Sequence, residues 1–201
     1  KVLTTKETFD LAVKNHQEGK IDIAQELYNQ VLKIDPNHLN TLNNLGALFV
    51  RLEEHQKAKD CYEKAIEIDP NFADAHNNLG VVFKALRENQ KAKDCFEKAI
   101  QIKPNYANAH YNLGNIFKKL GENQKAKDCY EKAIEIDPNY ANAHNNLGAI
   151  FKELGEPEKA KECYEKAIEI DPNFYEALIN RGIMLFEKGE FELSLIDFDN
   201  C

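Results

Sequence analysis

The sequence predicts an all-α protein, built as a solenoid of stacked helical hairpins, and three observations support this prediction. Five of the six prolines lie 34 residues apart, and the nine glycines fall into two phases of the same period. Within one period, apolar residues recur at steps of three and four, which is the spacing of an amphipathic helix. One hairpin cannot bury its apolar face alone, whereas stacked copies can. The periodic prolines are Pro36, Pro70, Pro104, Pro138 and Pro172.

Each period reads as a first helix, a tight turn, a second helix and a stop. The first helix is predicted over residues 107–120, and Gly121 is well placed to end it in a left-handed conformation. The second helix is predicted over residues 124–136, and Pro138 stops it because proline cannot continue the hydrogen-bond ladder. Pro157 lies near the start of a later second helix, where a missing N–H costs little. Each period is therefore a helix–turn–helix hairpin.

Small and aromatic residues indicate how the two helices of a hairpin pack. Gly114 on the first helix and Ala126 on the second are expected to let the two backbones approach. Phe117 and Tyr130 are expected to fill the space beside them. The same positions recur as Gly80, Phe83, Ala92 and Phe96, and as Gly148, Phe151, Ala160 and Tyr164.

The period divides residues 1–201 into a single array of about six repeats. Residues 107–140 and 141–174 differ at only seven of 34 aligned positions. The sixth repeat stops at Cys201 inside its second helix, and the chain begins at Lys1 without a methionine. We therefore expect this chain to be a piece of a longer protein. Removal of a signal peptide or of a tail would account for such ends. The predicted repeats are 5–38, 39–72, 73–106, 107–140, 141–174 and the truncated 175–201.

A recurrent set of residues is complete in the fourth repeat: Asn112, Leu113, Gly114, Phe117, Gly121, Ala126, Tyr130, Ala133 and Pro138. This set resembles the tetratricopeptide repeat (TPR) family, and the resemblance extends from Thr5 to Cys201. It implies a right-handed superhelix whose first helices line a concave groove. Residues 72–79 and 140–147 most resemble the repeats of O-linked N-acetylglucosamine transferases.

Four positions depart from the pattern. Glu53 and Arg87 stand where other repeats have the turn glycine, which costs roughly 1 kcal/mol each if the backbone stays left-handed. Asn15 replaces an aromatic residue in the first repeat, and Arg181 replaces leucine in the last. Because both lie at the ends of the array, we interpret them as features of capping repeats.

The cysteines follow the period too, at Cys61, Cys95, Cys129 and Cys163, and a fifth is Cys201. One cysteine per repeat places neighbours about 9–10 Å or more apart. A zinc ion needs sulfurs about 2.3 Å away, and a disulfide needs Cα atoms within about 7 Å. We therefore predict reduced, half-buried thiols and no metal site, with Cys201 as ordinary core of the truncated helix. Free thiols suit a reducing compartment, which favours a cytoplasmic location.

Three histidines occupy a place where the family usually has tryptophan. His76, His110 and His144 lie on the apolar face of their first helices, where Leu42 and Leu178 stand in two other repeats. One interpretation is core packing with a satisfied ring nitrogen. The other is a pH-sensitive or ligand-binding role.

Composition and motifs exclude several classes of function. The net charge of −8 argues against nucleic acid, whose phosphates favour a basic surface. The longest apolar stretches, such as residues 81–83, are too short to span a bilayer, so no membrane insertion is expected. The sequence has no glycine-rich phosphate loop, nucleophile elbow or zinc-protease motif. We predict no enzymatic activity and no cofactor.

Asparagines form the most distinctive polar pattern. Asn44, Asn78, Asn112, Asn146 and Asn180, here called the asparagine series, recur at one phase of the first helices. Asparagine is a weaker helix former than Glu, Lys or Gln, so a solvated face gives no reason to keep it. We infer that the series costs helix stability without an evident packing return and therefore contacts a ligand. Recent duplication of the repeats is the alternative explanation.

Amide chemistry suggests how such a series would bind. A side-chain amide offers donors and acceptors that match the N–H and C=O of a peptide backbone. First helices about 9–10 Å apart and an extended chain advancing about 3.3 Å per residue place one asparagine at every third ligand residue. The series resembles the one in the O-linked N-acetylglucosamine transferase arm, which implies the same role here.

Residues beside the series would give selectivity. Asn108, its counterpart Asn142, and Asn115 lie on the same predicted face, and Tyr111 flanks it on one side. On another side, Lys84, Lys118 and Lys152 form a basic strip that would favour acidic ligand residues. Phe9 and Asp10 stand where the chaperone-binding subfamily begins its carboxylate clamp, so that specialised function is not supported.

Three functions remain open from the sequence. The first is a non-enzymatic scaffold that binds an extended peptide or a partner protein in the groove. The second is the substrate-recruiting arm of a larger enzyme, such as a glycosyltransferase, whose catalytic domain follows Cys201. The third is end-to-end self-association through the apolar end surfaces of the solenoid.

Overall fold

A computed structural model of the protein describes residues 3–199, and every regular element in this range is an α-helix. The predicted fold class, all-α with paired helices joined by short turns, is confirmed. Cys201 lies outside the described residues. The twelve helices in this range are α1 Thr5–Gln17, α2 Ile21–Ile34, α3 Leu39–Arg51, α4 His55–Ile68, α5 Ala73–Ala85, α6 Asn89–Ile102, α7 Ala107–Lys119, α8 Asn123–Ile136, α9 Ala141–Glu153, α10 Pro157–Ile170, α11 Tyr175–Glu187 and α12 Phe191–Asp199.

The chain forms two compact units, one ending at Pro104 and the other beginning at Asn105. The first unit stacks the hairpins α1/α2, α3/α4 and α5/α6, and the second stacks α7/α8, α9/α10 and α11/α12. Within each unit, a second helix packs on the first helix of the next hairpin. The first helices also touch one another, as α1 with α3, α3 with α5, and α9 with α11.

The four hairpins from α3/α4 to α9/α10 each close around an aromatic ring that lies against a glycine. A Cβ atom added to Gly114 would lie 2.7 Å from the Tyr130 ring, and one added to Gly80 would lie 2.6 Å from the Phe96 ring. Both rings are fully buried. The glycine therefore makes room for the ring itself. This refines the expectation that Gly114 serves the approach of two backbones and that the ring fills space beside it.

The turn between the two helices of a hairpin requires a left-handed residue. Gly121 adopts a φ of 75° there, as predicted. Glu53 and Arg87 adopt φ values of 58° and 63°, so these side chains do occupy a conformation that favours glycine. The first unit therefore carries backbone strain at two turns. Pro157 is the first residue of α10. Its missing N–H costs the helix no hydrogen bond, because the first N–H groups of a helix have no partner within it.

The last hairpin replaces an apolar contact by an ion pair. Arg181 on α11 occupies the place held by leucine in the middle hairpins, and Asp197 on α12 occupies the cysteine place. The guanidinium Nε and Nη2 atoms lie 2.8 and 2.5 Å from the two Asp197 carboxylate oxygens. Asp197 is buried and Arg181 is half-buried. The two departures from the repeat therefore compensate each other.

Candidate functional site: the asparagine surface of the first helices

The five side chains of the asparagine series are half-buried. Within the units, Asn78, Asn146 and Asn180 each bond a residue of the preceding first helix. In the second unit, Asn146 on α9 donates from Nδ2 to Asn115 Oδ1 on α7 over 2.9 Å, and to the Tyr111 hydroxyl over 3.3 Å. The Tyr130 hydroxyl donates to the same Asn115 oxygen over 2.8 Å. Asn115 is therefore a junction between a second helix and the next hairpin.

The same kind of bond continues from α9 to α11. Asn180 donates from Nδ2 to Asn145 Oδ1 over 2.9 Å, and Asn145 in turn donates to Asn146 Oδ1 over 3.5 Å. Side-chain amides thus connect all three hairpins of the second unit. These bonds hold the side-chain amides in defined orientations.

In the first unit, hydrogen bonds between side-chain amides link two of the hairpins. Asn78 on α5 donates to Asn43 Oδ1 on α3 over 2.9 Å and accepts from Asn77 over 3.1 Å. Asn44 on α3 lies beside the Tyr28 hydroxyl on α2. The inference that the asparagine series has no packing return is therefore wrong. A half-buried amide loses water, and a neighbouring amide or hydroxyl restores the hydrogen bond.

The flanking residues predicted to give selectivity differ in exposure. Asn108 and Asn142 are exposed, whereas Tyr111 is half-buried, with its ring centroid 4.9 Å from that of Tyr140. Lys84, Lys118 and Lys152 are half-buried. Lys152 Nζ lies 2.9 Å from a Glu187 carboxylate oxygen. The expected basic strip is therefore weakened at Lys152, because an acidic residue of the chain already pairs with that lysine.

Two depressions of the first unit open beside members of the series. One, of about 140 Å³, lies beside Asn78 between α3 and α5. The other, of about 340 Å³, lies beside Asn44 between α1, α2 and α3. Sequence reasoning missed His16 and Arg51 in the second depression. Arg51 lies seven residues after Asn44, and this helical spacing was the signal that placed both on one face.

The histidines join the turns between hairpins to the helices that follow. Nε2 of His76 and of His144 lies 3.0 Å from the carbonyl oxygens of Pro70 and Pro138, respectively. The predicted satisfied ring nitrogen is confirmed for these two residues, although both rings are half-buried instead of fully in the core.

The four periodic cysteines are half-buried free thiols, as predicted. Burial raises the pKa of Cys61 to about 11 and the pKa of Cys95 to about 12. These thiols are protonated at neutral pH and are therefore weak nucleophiles. Within the described residues, 3–199, no three His, Cys, Asp or Glu side chains cluster as metal ligands, and no helix is long and apolar enough to cross a membrane.

Models of the tetratricopeptide repeat match most of the chain. Those described as tetratricopeptide repeat match residues 10–38, 40–72, 73–106, 95–128, 141–174 and 163–195, and one described as TPR repeat matches residues 114–155. Comparison with curated proteins finds no match.

Several solved structures are similar to this chain. The crystal structure of MamA is 32% identical, with a TM-score of 0.69, and the match covers 80% of this chain and 94% of that chain. PilF of Pseudomonas aeruginosa is 25% identical, with a TM-score of 0.77 and coverage of 81% and 74%. YrrB, described as a TPR protein with an unusual peptide-binding site, is 25% identical, with a TM-score of 0.64 and coverage of 87% and 90%.

Proposed function

Because the chain belongs to the tetratricopeptide repeat family, we propose that it is a non-enzymatic scaffold that binds an extended peptide, or an extended segment of a partner protein, on the surface of its first helices. The asparagine series carries this proposal. It places amides at a regular spacing on rigid helices, and the bonds between neighbours hold these amides in fixed orientations. The peptide-binding site in the description of YrrB supports the same class of ligand.

Asn78 keeps hydrogen-bonding capacity after its internal bonds are made. Asn78 donates once to Asn43 and accepts once from Asn77. An asparagine side chain has two N–H donors and an oxygen with two lone pairs. A second donor and a second lone pair of Asn78 therefore match the C=O and N–H of a peptide. Backbone contacts of this kind give affinity with little sequence preference, and the flanking side chains add selectivity.

The length of the ligand follows from the spacing of the helices. Three first helices of one unit, about 9–10 Å apart, match an extended segment of roughly nine residues. A display library of random peptides of about this length is therefore a suitable probe, since it requires no knowledge of the natural partner.

The test compares amides on two surfaces. Peptides are selected from the library with the wild-type protein, and their affinities are measured for N78A/N146A and for the control Q90A/Q124A. Gln90 and Gln124 are exposed second-helix amides that bond Asp94 and Asp128. We expect N78A/N146A to bind about ten-fold more weakly or worse, whereas the control keeps its affinity. Helicity and unfolding of each variant are recorded by circular dichroism. Equal affinities in folded variants contradict the proposal.

A substrate-recruiting arm of a larger enzyme, such as a glycosyltransferase, is the alternative form of this proposal. The asparagine series and the similarity of residues 72–79 and 140–147 to the O-linked N-acetylglucosamine transferase repeats support it. Such an arm would use the same surface for the same class of ligand. The parent sequence beyond Cys201 distinguishes the two, since a catalytic domain there favours the arm.

Self-association is the second alternative, and exposed apolar residues in the last hairpin favour it. Ile183, Phe186 and Phe191 are 40%, 58% and 55% exposed, and the Phe186 and Phe191 rings lie 5.1 Å apart. Large exposed apolar patches mark association sites. Light scattering across protein concentration tests this function, and a constant monomer mass contradicts it.

The free cysteines support a reducing, cytoplasmic compartment for the scaffold.

A further inference from the structure

An open depression of about 340 Å³ lies between α1, α2 and α3, at one end of the asparagine series. Its six lining residues combine two groups able to carry positive charge, two amides, a phenol and one apolar side chain, and none of them is acidic. This depression is here called the Arg51 pocket. Its lining residues are Val13, His16, Gln17, Tyr28, Asn44 and Arg51.

The floor of the Arg51 pocket is rigid. The Tyr28 ring is fully buried, and its hydroxyl lies 3.3 Å from His16 Nδ1. The His16 ring stands edge-on to the Tyr28 ring, with centroids 6.0 Å apart. The Asn44 side chain lies beside the same hydroxyl. One buried tyrosine therefore orients the imidazole, so the imidazole does not have to be ordered when a ligand binds.

The charges around the Arg51 pocket are unbalanced. Arg51 is exposed in the last turn of α3, and among residues 3–199 it forms no ion pair with a carboxylate. Among the residues that line the Arg51 pocket, the titratable groups beside His16 are Tyr28 from α2 and Arg51 from α3. Burial, and then the nearby Arg51 charge, lower the pKa of His16. An anion bound between His16 and Arg51 would remove this repulsion.

We propose that the Arg51 pocket binds a carboxylate of the peptide held on the first helices, with Arg51 and protonated His16 pairing with the anion and Asn44 and Gln17 donating to it. The proposal rests on the proposed function for its ligand class and adds a charge preference at a defined place. A guanidinium presents a planar pair of donors that matches both oxygens of a carboxylate. Val13 contacts the methylene groups of an acidic side chain.

A carboxylate can come from an Asp or Glu side chain or from the C-terminus of a peptide, and the probes separate these sources. Libraries with free and with amidated C-termini are selected in parallel with the wild-type protein. The best peptide of each kind is then remade without its carboxylate, by Glu→Gln or Asp→Asn replacement in one case and by amidation in the other.

Affinities of these peptides are measured by calorimetry for the wild type, R51A and K14A. Lys14 is a matched control, because it is an exposed cation on α1 that pairs with Glu18. We expect loss of the peptide carboxylate, or the R51A change, to weaken binding about ten-fold or more. The two losses together should be little worse than either alone. K14A should bind within about two-fold of the wild type, because an exposed charge already paired with Glu18 contributes little.

The imidazole gives a second readout that needs no peptide. N-acetylglutamate methylamide should shift the His16 ring resonances and raise the pKa of His16, because a nearby anion favours the protonated ring. The glutamine analogue should do neither. If selected peptides bind but neither the carboxylate nor Arg51 matters, the Arg51 pocket is overturned and the scaffold function stands. If no peptide binds but the glutamate probe shifts His16, the scaffold function is overturned and the pocket stands as a carboxylate site.

Discussion

Two equivalent places, one in each unit, use the same tyrosine and asparagine in different ways. In the second unit, the Tyr130 hydroxyl and the Asn146 amide both bond the Asn115 oxygen. In the first unit, the equivalent residues are Tyr28 and Asn44, but Val13 stands in place of Asn115.

The change from asparagine to valine alters the partners of the tyrosine hydroxyl. Valine offers no acceptor, and the Tyr28 hydroxyl lies 3.3 Å from His16 Nδ1, beside an open depression. In the second unit, Asn115 occupies the position between the hydroxyl and the amide. Val13 in place of Asn115 therefore changes the surroundings of the tyrosine hydroxyl. The rest of the pocket lining differs as well, since His16 and Arg51 stand where the second unit has Lys118 and Glu153.

The largest expected effect is at the far end of the second unit, where an ion pair replaces the apolar contact of the other hairpins. D197C alone should destabilise the last hairpin by about 3 kcal/mol, because Arg181 loses its buried partner. The Arg181 side chain is 22% exposed, which keeps the loss at the low end for such pairs. Urea unfolding and hydrogen exchange at α11 measure it.

R181L/D197C is the matched control for that change. It restores the leucine and cysteine of the other hairpins, so its stability should lie within about 1 kcal/mol of the wild type. A double variant as unstable as D197C would show that the two departures do not compensate each other.

The comparison between Val13 and Asn115 is tested by exchanging them. N115V removes the acceptor shared by Tyr130 and Asn146, and it should cost about 1–3 kcal/mol of unfolding free energy because a buried tyrosine and a half-buried asparagine lose a partner. V13N should supply the missing acceptor near Tyr28, leave stability within about 1 kcal/mol of the wild type, and narrow the Arg51 pocket. Urea unfolding measures both, and equal effects of the two exchanges would remove the proposed difference between the units.

Substitution of the glycines that lie against the aromatic rings gives a second comparison between the two units. G114A pushes the Tyr130 ring and should also disturb its hydroxyl bond to Asn115, whereas G80A pushes a phenylalanine that has no hydroxyl. Overpacking destabilises both variants. The informative quantity is therefore the difference between their free energies of unfolding. We expect G114A to be less stable than G80A by about 1 kcal/mol, the value of one hydrogen bond. Identical unfolding midpoints would mean that the hydroxyl network is not coupled to the ring.

The smallest effect concerns the turns. The first unit has Glu53 and Arg87 in left-handed turns where the second unit has glycines such as Gly121 and Gly155. R87G should stabilise the protein by about 0.5–1 kcal/mol, and G121R should cost a similar amount. Thermal unfolding of the two variants measures whether each change raises or lowers the stability. A destabilised R87G would show that contacts of the arginine side chain contribute more than the backbone strain costs.

Most of the fold follows from the sequence, because the period is repeated in several independent residues. The first helices begin at the predicted repeat boundaries, from Thr5 to Tyr175, since the proline stops and glycine turns fix both ends of each helix. Close packing at Gly114 was also predictable. Which group the glycine accommodates was not, because glycine leaves room for either a backbone or a ring.

The site was less predictable, since its bonds join residues 31 or 35 positions apart in neighbouring hairpins. The sequence showed a regular series of asparagines but not their partners, because the partners occupy variable positions. Asn115 and Val13 illustrate this point, as the period alone treats them as equivalent. The Arg181–Asp197 pair was missed because only one of its two departures was noticed.

Contact between the asparagine series and a bound peptide can be observed by side-chain amide NMR. The resonances of Asn44, Asn78 and Asn146 are followed while a peptide selected by the wild-type protein is added, with the second-helix amides of Gln90 and Gln124 as internal reference. We expect the amide resonances of the asparagine series to shift in proportion to the bound peptide, while the glutamine amide resonances stay unchanged. Saturation of the protein with peptide while all the asparagine amides remain unshifted would contradict it.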